Sequence, residues 1–235
     1  MNNRQNQIVA VVPVREGSVR IKDKNFVPFG EHPTLLHNKI EQLKASDCFD
    51  HIYISSDSQK ARQISKECRV EYLFRDPAMC TNKPRWNEVI EAIMKTITGD
   101  PHVVWAMVTS PLFIRYKDAV KEYLNHLKVN DSLVGVKQIR EYLIDEIGRP
   151  LFYSFGAWHP YSNELKPFYA INDTVFIAKK SDQRHWKYWI GRKPYLFQCN
   201  PIESIDINFP EDLKMAILAK DMMEGRIREV PHASV

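Results

Sequence analysis

Four cysteines in 235 residues, at positions 48, 68, 80 and 199, form no CxxC pair. That scatter suits neither a zinc site nor a disulfide framework, so the thiols are expected to be reduced. No uninterrupted apolar run approaches the ~20 residues that a membrane span needs, and the polar start MNNRQNQ lacks the pattern of a secretory leader. The expectation is a soluble, cytoplasmic chain with no membrane partner. Charge of one sign is also scarce. The 33 basic and 29 acidic residues leave only +4, too little and too dispersed to point to nucleic acid; a local anionic ligand fits better. Neither GxGxxG nor GxxxxGK(S/T) occurs, which excludes the standard dinucleotide and P-loop readings. The eight histidines offer no HxxxH and no Ser-His-Asp arrangement, so they are read as surface or structural, His37 and His159 least securely. There is no DxD, no internal repeat and no low-complexity tract.

What is present is a rhythm. Short β-rich runs (8–14, 51–55, 70–74, 102–108, 132–136) alternate with segments long enough for helices (34–45, 58–67, 85–98, 116–128). Such alternation predicts right-handed βαβ units, and hence an α/β fold with a mostly parallel twisted sheet and helices on both faces. The stretch from Gln138 to Ala170 breaks the rhythm with GRP, HPY and KPF turns and six aromatics between Tyr142 and Tyr161. It is expected to leave the sheet as an insertion, residues 138–170, in a single domain built from 1–137 and 171–235. The rhythm resumes at 173–178 and 195–199 and ends in a helix from Pro210 to Glu224, with Pro at its first turn and Gly225 beyond its end.

The first run is followed by VVPVREGSVRIKDKN, Val11 to Asn25. In open α/β sheets the first strand-to-helix connection is the usual phosphate site. Here Gly17 and Ser18 allow close backbone approach, while Arg15, Arg20, Lys22 and Lys24, with Arg4 upstream, supply positive charge suited to a polyphosphate. A charge run alone is more often a solvated loop; its position after the first strand raises the functional reading.

This stretch resembles the opening motif of the acylneuraminate cytidylyltransferases, which make CMP-sialic acid and, in a related branch, CMP-Kdo. Three further stretches match in order: HIYISSDS resembles the family's STD strand and turn, MVTSPLFIRYKDA its TSPL corner, and SIDINFPEDLKMA its IDID segment. They span residues 8 to 218. The resemblance implies a nucleotide-diphospho-sugar transferase, Rossmann-like fold and an enzyme that transfers CMP from CTP to an acidic acceptor. An anomeric hydroxyl attacks the α-phosphorus and pyrophosphate leaves. It implies CTP binding by Arg15, Ser18, Lys24, Asn25, Arg75 and Ser110, with Arg15, Lys24 and Asp206 central to catalysis. Mg²⁺ is implied at Asp206 and Asn208, and acceptor contacts at Met107, Thr109 and Asn172. A turn role suffices for Ser55 and Ser56.

The departures from the pattern fall mostly on the acceptor side. Asn208 replaces the second aspartate of IDID, and an amide oxygen is a weaker Mg²⁺ ligand than a carboxylate. Met107 replaces a glutamine that contacts sugar in the sialic acid enzymes; a thioether cannot hydrogen-bond a polyol as an amide does. Asp173 replaces a glycine, Glu16 adds a carboxylate to the basic loop, and Thr81 to Trp86 introduces Lys83 and Arg85. The expected acceptor is a nonulosonic or sialic-acid-like sugar acid or a Kdo-like one. A non-sugar acid such as a phosphonate, or a degenerate nucleotide-binding module without turnover, are the alternatives. A nucleotide-sugar glycosyltransferase is disfavoured by the missing DxD. By position, the insertion corresponds to the family's dimerisation element, whose cations reach the partner's active site. Its aromatics would be costly to expose on a monomer, so a homodimer is expected, with Arg140, Arg149 and Lys166 as candidates for acceptor carboxylate binding.

Overall fold

The structure, a computed structural model, describes residues 7–226. Arg4 and the tail 227–235 lie outside the described residues. In chain order the strands are β1 (Ile8–Pro13), β2 (His51–Ser56), β3 (Glu71–Phe74), β4 (His102–Trp105), β5 (Ser132–Ile139), β6 (Phe168–Lys179) and β7 (Pro194–Gln198). The helices are α1 (Leu35–Ala45), α2 (Gln59–Glu67), α3 (Trp86–Thr96), α4 (Tyr116–His126), α5 (Lys180–Trp186) and α6 (Pro210–Met223). Helix starts follow local chemistry. Thr34 and Ser58 accept from the amides of His37 and Ala61 and cap α1 and α2, and Asp212 reaches back to the Phe209 amide at the head of α6.

The sheet has the order β3-β2-β1-β4-β6-β5-β7. All pairings are parallel except those of β6, which runs antiparallel to both β4 and β5. This is the expected α/β class. Strand β1 is buried on both faces, so it reads as a continuous apolar run. Its Ala10 and Val12 pack with residues of α1, α2, α4 and α6, and Val9 and Val11 pack with Ile90 and Ile93 of α3.

Three features differ from the sequence expectation. Strand β4 stops at Trp105, because its last partner on β6 is Phe176; the following residues 106–108 stay buried but turn out to form a wall. Helix α5 has no apolar periodicity to announce it. It is fixed by Gln183, fully buried, which accepts from the Trp105 indole at 2.6 Å and donates to the carbonyls of Ala178 and Val103. The ends of the proposed insertion belong to the sheet, since Ile139 pairs with Phe168 and Lys137 with Ala170. Residues 140–167 form the excursion proper, with short 3₁₀ turns at Gly156–Trp158 and Ser162–Glu164.

The β5–β6 pairing is irregular at one point. Val134 opposes Phe176 but Val136 opposes Ile171, so two steps along β5 match five along β6. The extra residues of β6 bulge opposite Gly135. A Cβ there would lie 2.0 Å from Thr174 Oγ1 and 2.7 Å from Asn172 Oδ1. Glycine is required because those side chains occupy the space.

Candidate active site

A cavity of about 510 Å³ opens at the carboxyl ends of β1 and β4, where the strand order reverses about β1. This is where open α/β sheets bind ligands. The basic loop forms one wall. Gly17 at φ +76° provides the left-handed turn that starts the loop. Asn25 is buried and its amide donates to the Arg15 carbonyl at 3.0 Å, stapling the loop closed. Lys24 begins a 3₁₀ turn that Asp23 enters at φ 52°, and Asp23 is in turn held by Lys60 at 2.9 Å.

The opposite wall is the segment Ile205–Asn208. Lys24 Nζ donates to the Ile207 carbonyl, the Arg20 guanidinium lies 4.7 Å over the Phe209 ring, and the Ile207 amide donates to the Thr109 carbonyl at 2.8 Å. Arg15, Lys24 and Asp206 therefore share one cavity. Burial pulls the Lys24 ammonium below its ordinary value; Asp206 opposes that shift, and Arg20 and Arg15 reinforce it. Asp173 also faces the cavity. Although the residue is exposed, partial desolvation by the cavity walls pushes its carboxyl up, Asp206 pushes the same way, and Lys24 pulls it down.

Arg75 is 5% exposed at the cavity floor, where it donates to the Val14 carbonyl at 2.6 Å and to Cys80 Sγ at 3.0 Å. Its guanidinium is thus fixed before any ligand arrives. Ser18, Asn25, Met107, Thr109 and Asn208 also line the cavity. Met107, 7% exposed, joins Val89 and Trp86 in an apolar stretch of wall. Ser110 lies beneath the surface with its hydroxyl unpartnered. Its carbonyl accepts from Lys39 Nζ at 2.8 Å, and Asn38 holds the Pro111 carbonyl at 2.9 Å, so α1 fixes the whole corner.

Other sequence candidates lie outside this cavity. Asn172 is spent on Ser204 and Thr174. Arg140 donates to the Asn163 carbonyl, Arg149 pairs with Asp145, and Lys166 is exposed on the excursion. Glu16 faces away and accepts from the Ser58 hydroxyl. Ser56 accepts from the Ser58 amide, a turn role. Arg85 occupies the N-cap position of α3, where its amide donates to Glu88, and neither it nor Lys83 lines the cavity. Two contributors escape the sequence candidates: Asn82, which accepts from Arg15, and Asp173. Only the glycine-to-aspartate departure flagged Asp173.

The residues suit a divalent cation. Asp206 Oδ1 is buried with no hydrogen-bond partner, its other oxygen accepts from the Asn208 amide, and the surrounding donor set offers oxygen ligands of the kind hard cations take.

An α/β sheet with a cationic first loop and carboxylates meeting at the strand carboxyl ends is the arrangement of nucleotide-handling proteins of this class. The sequence pattern of the cytidylyltransferase family matches residues 9–141, and the chain belongs to that family. It is 26% identical over 220 residues to the N-acylneuraminate cytidylyltransferase of Escherichia coli O18:K1:H7, covering 90% of this chain and 51% of that protein. It is 27% identical over 220 residues to the CMP-N,N'-diacetyllegionaminic acid synthase of Legionella pneumophila, covering 88% and 93%. The chain spans about half the length of the N-acylneuraminate cytidylyltransferases that it matches. The structure of a CMP:2-keto-3-deoxy-manno-octonic acid synthetase complexed with CTP superposes with a TM-score of 0.66 at 10% identity, covering 94% of this chain and all of that one. The fold is the same.

Proposed function

We propose that this chain is a CTP-dependent cytidylyltransferase of the cytoplasm that transfers CMP to an acidic sugar and releases pyrophosphate. The observation that carries this reading is the meeting of Lys24 and Arg15 with Asp206 around one cavity. The acceptor's anomeric oxygen bonds to the α-phosphorus of CTP, the bond from that phosphorus to the bridging oxygen of the β-phosphate breaks, and the hydroxyl proton is released. No side-chain nucleophile is required. Arg15, Arg20 and Lys24 hold the polyphosphate and take up charge that develops on the leaving group, prearranged by the staple at Asn25 and the clamp on Ile207. Arg75, already fixed at the floor, orients the nucleotide without reorganising. Asp206 and the Asn208 amide would hold a divalent cation, Mg²⁺ in this reading, which supplies neutralisation of phosphate charge when bound.

The likeness to sialic-acid-type, legionaminic-acid-type and Kdo-type relatives supports a nonulosonic or Kdo-like acceptor. The apolar wall of Met107, Val89 and Trp86 favours an acceptor with apolar substituents over a fully hydroxylated one. We further read the excursion as a dimerisation element. Phe152 and Trp158 are 75% and 86% exposed there, which is costly for a monomer, and in this reading Arg140 and Lys166 would serve a partner's cavity rather than their own.

The test is pyrophosphate release from CTP and Mg²⁺ with a panel of nonulosonic acids, Kdo and phosphonates. Release with a sugar acid supports the reading. CTP binding with no release across the panel would reduce the chain to a nucleotide-binding module.

A further inference from the structure

The family motif pairs Asp206 with a second aspartate two residues on, and this chain carries Asn208 there instead. The charge missing from that segment reappears elsewhere on the same cavity. Asp173 stands where the motif has glycine, and its position is set by the backbone: the extra residues of β6 opposite Gly135 carry it to the cavity. Its neighbours Asn172 and Thr174 are tied down by Ser204 and by each other.

We propose that Asp173 is the second carboxylate of a divalent-cation site with Asp206, supplied from the β6 bulge in place of the one that Asn208 lacks. This inference rests on the reading that the cavity takes CTP with a divalent cation. Electrostatics favours it. The charged groups of the cavity are four cations, Arg15, Arg20, Lys24 and Arg75, and two carboxylates, Asp173 and Asp206. Four cations against two carboxylates still leave the empty cavity cationic, so a divalent ion enters with the phosphates of CTP, and a second carboxylate supplies more of the oxygen charge that such ions require than Asp206 alone. A second observation points to a missing ligand: Asp206 Oδ1 is buried and has no hydrogen-bond partner, although Lys24 donates nearby to the Ile207 carbonyl instead. A bound cation would satisfy that unpaired oxygen.

The experiment is a Mn²⁺ titration followed by electron paramagnetic resonance, with and without CTP, on the full chain and on Asp173→Asn, Asp206→Asn, Asn208→Asp and the double variant Asp173→Asn/Asn208→Asp. Expected is a loss of Mn²⁺ affinity of about tenfold or more in Asp173→Asn, as in Asp206→Asn, with recovery in the double variant. CTP binding in EDTA, measured calorimetrically, should be retained by Asp173→Asn. Unchanged Mn²⁺ affinity in Asp173→Asn, no wild-type binding above that of Asp206→Asn, or a double variant that stays weak would each overturn the proposal. Wild-type protein that binds Mn²⁺ through Asp173 but no CTP would overturn the nucleotide reading instead, so the two failures are distinguishable.

Discussion

Lys24 and Ile207, 183 positions apart in the chain, are joined by a hydrogen bond from the ammonium to the main-chain carbonyl. The amide of the same Ile207 is held by the Thr109 carbonyl. One residue thus couples the basic loop, the corner after β4 and the segment bearing Asp206, and Lys24, the proposed contact to the polyphosphate, is also a strut.

Replacing Lys24 with methionine should therefore lower pyrophosphate release by roughly 100-fold or more. Stability should change by no more than about 1 kcal/mol, because burial already disfavours the ammonium and the loss is one hydrogen bond. Steady-state pyrophosphate assays and a urea midpoint read the two quantities separately.

Gly135→Ala should destabilise the protein by about 2 kcal/mol, since a Cβ would meet Thr174 Oγ1 at 2.0 Å and the bulge of β6 must shift. Thr174→Ala in the same chain should recover part of the loss. A guanidinium denaturation series on the single and double variants checks both.

Arg115 grips the buried Glu203 through two bonds of 2.6 and 2.8 Å, and Glu203 also accepts from the Asn200 amide. Arg115→Ala strands that carboxylate below the surface. The expected cost is about 3 kcal/mol, and the turn at 200–204 that leads into Asp206 should lose protection in hydrogen exchange. Unchanged exchange there would separate the loop from the ion pair.

Lys39 is wholly buried between Ser110 and Tyr116, with burial pulling its pKa from 10.5 to about 7. The unfolded chain therefore binds more protons than the folded one above about pH 7. Stability should rise with pH through this window, by up to about 1.4 kcal/mol per unit. Lys39→Met should abolish that slope between pH 7 and about 8.5, before thiols and phenols ionise. Denaturant midpoints measured across that range give the slope directly.

How much of this was legible in the sequence depended on whether a signal is local. Ile8–Pro13 announces a buried strand because both faces are covered and no polar alternation is needed, and Thr34 and Ser58 mark helix starts through their own capping bonds. Arg15, Lys24 and Asp206 were legible through the family motifs that hold them. Helix α5 was not, because its buried anchor, Gln183, is polar and bonds to residues of β4 and β6. Asn82 was not, because its role is set by Arg15 across the cavity. Arg140 and Lys166 were assigned by position in the motif order, and within this chain they do not line the cavity.

Every cation that lines the cavity precedes residue 76, and both carboxylates follow residue 172. During synthesis, the emerging amino-terminal portion carries the cavity's cations before the two carboxylates that will face them exist, while β4 waits as a bare edge for β6. Only when the last third of the polypeptide arrives does the antiparallel strand close that edge and deliver the balancing acids. A truncation ahead of β6 should leave that edge open and the cavity without either carboxylate, so the site is completed last.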